Sequence, residues 1–263
     1  MTWLFNIGLA AYIAALVCAV LRLVSGRAWF DRLATGAIAA GLALQTAYMA
    51  VRWHTAGRPP FSNMFESLVL LAWAVAAIYL ALRFRMNIPF LEGPAALMSA
   101  VSMAYASTFG FDIRPLVPAL QSNWLTFHVF TCFLGYGGFA VSFVSSIGYL
   151  FVTREGSQVS PEARETLEAV MAKTVSFGFL FLSLGIITGA VWANSAWGTY
   201  WSWDPKETWS LITWFIYAIY LHCRFVRGWR GRRAAWISIV GFISVLFTYI
   251  GVNFLLSGLH SYA

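Results

Sequence analysis

The stretch Trp124-Leu-Thr-Phe-His128-Val-Phe-Thr-Cys132-Phe-Leu-Gly135-Tyr-Gly-Gly138-Phe-Ala-Val-Ser-Phe-Val-Ser-Ser-Ile-Gly-Tyr-Leu-Phe-Val152 contains no Asp, Glu, Lys or Arg. A helix needs about 20 apolar residues to cross ~30 Å of hydrocarbon, whereas the strands of a membrane barrel show short alternating segments. The stretch therefore predicts a transmembrane helix. Similar runs at 3–24, 34–53, 65–82, 88–108, 173–193, 208–226 and 234–256 bring the expected number of spans to eight. The predicted class is an all-α polytopic membrane protein, read as a single membrane domain over 1–263. Composition agrees: 60% of the residues are hydrophobic and 10% charged, against about 25% charged in soluble domains. Disorder, collagen and coiled coil are excluded by the same numbers.

The net charge of +7 is a statement about topology, not about nucleic acid, because the cations are sorted by the spans. Arg22, Arg27, Arg32, Arg83, Arg85, Arg154, Arg164, Lys173, Arg224, Arg227, Arg230, Arg232 and Arg233 fall on one side, and Arg52, Arg58, Arg114 and Lys206 on the other. The positive-inside rule makes the first side cytoplasmic and both termini external, on the periplasmic side of a bacterial inner membrane. The first run has no basic segment before it and no Ala-x-Ala site after it, so it reads as a retained span. The cluster Arg227 to Arg233 fits topology and anionic lipid, with the bilayer as its partner. Ser160 with Pro161 reads as a helix start. Cys18, Cys132 and Cys223 form no CxxC or metal-ligand spacing, which leaves packing as their role.

The unusual chemistry gathers on the predicted external face. The loop at 194–208 carries Trp197-Gly198-Thr-Tyr200-Trp201-Ser-Trp203-Asp204-Pro-Lys206-Glu207-Thr-Trp209. Asp204, Pro205 and Glu207 have the spacing of a capping box, and Trp and Tyr favour membrane interfaces. Five aromatics within thirteen residues exceed what an interfacial belt needs. A flat apolar ligand would account for the surplus, with Gly198 allowing close backbone approach. His128 lies about one turn inside one external helix end, and His260 just past another. Two histidines at one depth beside an aromatic platform fit axial ligation of a haem iron. Cys132, Gly135 and Phe139 share the face of His128, and Gly135, Gly137 and Gly138 would admit a helix or a porphyrin. His54 is external and reads as a solvated group. His222 sits roughly 21 Å down its span, by the helical rise per residue. It is either a neutral imidazole bonded to a neighbouring helix or a second haem position.

The tryptophan-rich loop, with its flanking histidines, resembles the signature of the haem-handling proteins of cytochrome c biogenesis. Gly57-Arg-Pro-Pro-Phe-Ser62-Asn63-Met-Phe-Glu66-Ser67 resembles the motif of one branch, the CcsA/ResC proteins of the system II cytochrome c synthase. The resemblance covers nearly the whole chain. It implies that His128 and His260 ligate a haem b held against Trp197, Gly198, Tyr200, Trp201, Trp203, Asp204 and Glu207, and that His222 belongs to a transmembrane haem route. It also implies a CcsB/ResB-like membrane partner, since no such region precedes the first span, and an apocytochrome c bearing Cys-x-x-Cys-His as substrate. The reaction would join haem vinyl groups to the two thiols as thioethers. A haem transporter or chaperone that serves a separate ligase is the alternative, and the thylakoid membrane of plastids is the alternative location. No general base is evident, and Lys206, Arg58 and Arg114 are candidates for pairing with propionates.

Overall fold

The computed structural model describes residues 1–86, 88, 90–154 and 160–256. Among them there are helices and turns but no strand. Every predicted span is helical: α1 Thr2–Ser25, α2 Trp29–Ala56, α3 Met64–Arg83, α4 Glu92–Ala106, α5 Asn123–Val152, α6 Pro161–Trp197, α7 Pro205–Phe225 and α8 Arg232–Leu246, the last continued through a π-helical turn, Phe247–Gly251, into α9 Val252–Leu255. Six segments are long and apolar enough to cross a membrane by length and composition: α1, α2, α3, α5, α6 and Arg232–Leu255. The segments expected at 88–108 and 208–226 are not among these six. The first forms a helix of only 15 residues. The second is 21 residues long but includes Lys206, Glu207, His222 and Arg224, which lower its hydropathy.

The chain divides into two compact units, Met1–Pro115 and Leu116–Ala263. In the first, α1 packs on α2 and α4, and α3 on α4 and α2. One end is organised by charge. Arg52 and Glu66 are 2.9 Å apart and almost fully buried, with Arg58 completing the group 3.0 Å from the other carboxylate oxygen. Ser62 donates to the same oxygen from both its backbone N–H and its hydroxyl, and Arg52 donates to the carbonyls of Phe111 and Asp112. Asn63 caps α3 by accepting from Glu66 N. The Pro-Pro-x-Ser-Asn motif is thus a turn built around one buried carboxylate. Removing either charge of such a pair strands the other without compensation, which costs about 3–5 kcal/mol.

In the second unit α5 packs on α6 and α8, and α7 on α8 and α6. Glycine sets the distance between α5 and α6. A Cβ on Gly135 would lie 3.0 Å from Gly178 O, and one on Gly138 2.9 Å from Thr174 O. Of the two occupants that the glycine face of α5 could admit, Gly135 and Gly138 receive a helix. Small residues let helix backbones approach where lipid offers no hydrophobic drive. The start at Ser160 and Pro161 and the run 173–193 form one continuous 37-residue helix, with Ser160 accepting from Ala163 N at its cap. No Gly or Pro between Glu162 and Phe177 interrupts it.

Candidate functional site

His128 lies in the second turn of α5, with its imidazole set into α6. Its Nδ1 is 2.7 Å from Gly185 O, and because a carbonyl only accepts, Nδ1 carries the proton. Nε2 is then the nitrogen with the lone pair, the form in which histidine binds a metal. The pocket for the ring is made by absence: a Cβ on Gly189 would lie 2.5 Å from Nδ1 and 2.7 Å from Cε1. Gly185 likewise leaves space for Cys132, whose Sγ is 3.7 Å from Nδ1. The spacing Gly185-x-x-x-Gly189 was open to sequence reasoning as a helix-packing pattern. That it cradles a histidine was not.

From His128 a line of aromatic rings reaches the Trp-rich loop. The His128 ring is nearly parallel to that of Trp192, with centroids 6.0 Å apart. Trp192 meets Trp197 edge to face at 4.8 Å and donates from Nε1 to Ala119 O at 2.9 Å. Trp192 therefore links ring to loop, a role hidden in the sequence because residue 192 falls inside an apolar run. Gly198 ends α6 in the left-handed conformation, φ 79°. The loop then exposes Tyr200 and Trp203, at 60% and 68% of their surfaces. Trp201 and Trp203 stand edge to face at 5.7 Å. Trp203 has φ 60°, a conformation costing a side-chain-bearing residue about 1–2 kcal/mol. Such strain persists where surrounding structure enforces it and clusters at ligand clamps.

Below the aromatics the loop closes on α7 as the capping box predicts. Asp204 Oδ1 accepts from Lys206 N at 2.9 Å, and Glu207 Oε2 accepts from Asp204 N at 3.2 Å and from Ser202 N at 2.8 Å. Asp204 is buried and Glu207 half-buried, so both carboxylates have local structural work. Lys206 Nζ reaches Asn253 Oδ1 at 2.7 Å. Burial pulls the Lys206 pKa down from 10.5 to about 8, against the opposing pull of Asp204 and Cys132.

Other expected residues separate from this group. His260 lies outside the described residues. His222 is exposed on α7, on the same face as the exposed Ile212, Phe215 and Ile219. Among the described residues its ring has no hydrogen-bond partner, so the neighbouring-helix role is not realised there. His54 is exposed at the end of α2. Arg58 is held by Glu66 and by the carbonyls of Pro59 and Arg114.

Residues 61–260 match the Cytochrome C assembly protein family. The chain is 39% identical to the cytochrome c biogenesis protein CcsA of Gloeobacter violaceus over 88% of its own length and 86% of that protein. It is 41% identical to the CcsA of Chlamydomonas reinhardtii over 81% of its length and 64% of that protein. Among solved structures it superposes on the cytochrome c haem lyase CcmF with a TM-score of 0.73 at 18% identity, over 94% of this chain and 46% of the lyase. That likeness is one of fold.

Proposed function

Because the chain belongs to the cytochrome c assembly family and is related throughout most of its length to the CcsA proteins, we propose that it binds haem b through His128 and His260 against the Trp-rich loop and presents it to apocytochrome c. Membership carries a role in cytochrome c maturation. The observation that carries the finer reading is the His128 tautomer: Nδ1–H donates to Gly185 O, so in the neutral ring the lone pair is on Nε2. Gly189 admits the ring and Gly185 O accepts its Nδ1–H.

Haem is the substrate here, and the chain acts by holding it. Nε2 of His128 offers one axial position and His260 the other. Trp197, Tyr200, Trp201 and Trp203 offer ring faces and edges, each aromatic contact contributing about 0.5–1.5 kcal/mol. Asp204 and Glu207 hold the loop in the conformation that exposes Trp203. One imidazole then yields to the histidine of the substrate's Cys-x-x-Cys-His segment, and each thiol adds across a haem vinyl group, forming a C–S and a C–H bond with no leaving group. Catalysis in this scheme is positioning. The exposed His222 on an apolar face suits a haem shared with a CcsB/ResB-like partner along a route through the bilayer, with the Trp-rich loop on the external side of the plasma membrane. The thylakoid is the counterpart in plastids.

The test is purification from haem-replete cells. A six-coordinate low-spin spectrum with haem b by pyridine haemochrome is expected, and His128→Ala should abolish it, with partial recovery on adding imidazole. A colourless wild type, or a His128→Ala protein with an unchanged spectrum, would overturn the reading. Thioether product in a mixture with the partner subunit and an apocytochrome would separate a synthase component from a chaperone that serves another ligase.

A further inference from the structure

Three residues of α6, Gly185, Gly189 and Trp192, make the setting of the His128 ring, and their spacing of four and then three puts them on one face of the helix. Gly185 O accepts the Nδ1–H, and Gly189 gives the ring room. The carbonyl fixes the tautomer and the position of Nδ1. The imidazole could still tilt about the line from Cβ to Nδ1. Against that tilt stands Trp192, whose indole is inclined by only 17° to the imidazole with centroids 6.0 Å apart, the offset arrangement that aromatic pairs prefer. The indole is itself held. It is buried, and a buried indole N–H needs an acceptor, which Ala119 O supplies at 2.9 Å. In the 3₁₀ turn Pro118–Leu120 the carbonyls of Val117 and Pro118 accept from Leu120 N and Gln121 N, while that of Ala119 goes to the indole. Trp197 meets the same indole edge to face at 4.8 Å.

We propose that Trp192 is a positioning residue: tethered through Nε1 to Ala119 O, it fixes the plane of the His128 imidazole, and with it the orientation in which Nε2 meets a haem iron. The inference rests on the haem-binding reading above, and adds to it a residue that acts through His128. Orientation matters to the iron because the π orbitals of an imidazole overlap iron d orbitals only perpendicular to the ring, so the ligand plane shapes the low-spin ferric signal. A residue that merely packed against α6 would alter melting and leave that signal alone. Trp214 offers the comparison. Its Nε1 donates to Ser183 Oγ at 2.8 Å, an indole tether of the same kind onto a different face of α6, since residues two apart on a helix do not share a face.

The experiment compares full-length wild type, Trp192→Phe, Trp192→Leu and Trp214→Phe, purified from haem-replete cells at matched membrane abundance, by haem per protein, melting temperature and low-temperature EPR of the ferric form. Trp192→Phe keeps a ring beside the imidazole and loses the tether. Its haem content should stay near wild type while the low-spin signal broadens or splits, because the ligand plane is no longer fixed. Trp192→Leu loses ring and tether, and should add to the same spectral change a haem retention lower by about three- to tenfold, the factor that one lost aromatic contact represents. Trp214→Phe should melt lower, as Trp192→Phe does, and keep the wild-type signal. If Trp192→Leu does not accumulate, Trp192→Phe alone decides. A wild-type EPR signal in Trp192→Phe, or the same spectral change in Trp214→Phe, overturns the positioning role while leaving haem binding intact. A wild type without haem overturns both.

Discussion

Gly189→Ala adds a single methyl group, and its consequence can be worked from the geometry. The new Cβ would lie 2.5 Å from His128 Nδ1, 2.7 Å from Cε1 and 3.3 Å from Cγ, all closer than van der Waals contact allows. The imidazole cannot remain in place and must leave Gly185 O. The stability cost combines overpacking of about 1–3 kcal/mol with a lost hydrogen bond of about 1 kcal/mol. Alanine's advantage over glycine inside a helix, also about 1 kcal/mol, offsets part of it. The functional cost exceeds the structural one, since a ligand deprived of its orienting carbonyl loses roughly 10–100-fold in metal affinity. Gly148→Ala is the control, because its nearest neighbours are Leu167 methyl carbons at 3.8 and 3.9 Å. Haem per protein, the visible spectrum and thermal stability of both variants should be measured at equal membrane abundance. Gly148→Ala should match or exceed wild type in all three, while Gly189→Ala loses haem. A Gly189→Ala protein with wild-type haem content and spectrum would refute the claim that this groove orients an axial ligand.

Glu66→Gln leaves Arg52 and Arg58 without their shared carboxylate and should destabilise the first unit by about 3–5 kcal/mol, read as lost accumulation and a lower melting temperature. Ser62→Ala, which removes only the hydroxyl contact, should cost about 1 kcal/mol. Trp203→Gly relieves the left-handed strain that Trp203→Ala retains, so the glycine variant should melt higher while both bind less haem. Lys206 predicts a pH dependence. Its folded pKa of about 8 lies below the ordinary 10.5, so between those values the unfolded chain binds a proton that the folded chain does not, and stability should rise with pH across that window. Lys206→Met should flatten the rise; a slope unchanged in the variant would assign it to another group.

What the sequence by itself determined here is local. A charge-free run such as 124–152 is helical because lipid permits no unpaired backbone, and the run at 173–193 is helical for the same reason. The caps at Ser160 and Asp204 were legible because their partners lie two or three residues away. The aromatic surplus of the Trp-rich loop could be seen without coordinates, and so could His128. Tertiary structure decided everything that depends on distance in the chain. The proton acceptor of His128 stands 57 residues away at Gly185, and the partner of Lys206 stands 47 residues away at Asn253. Arg52, by sequence only one of the external cations at the end of the second span, is the buried centre of an ion network because α3 brings Glu66 to it. No periodicity announces the π turn at Phe247–Gly251, where the Phe247 ring meets that of Trp209 and Thr248 Oγ1 donates to Trp209 O. Hydropathy and capping act over a few residues and survive in any window of the sequence. The orientation of a ligand is set by whichever distant backbone comes close, and only the packed helices specify that.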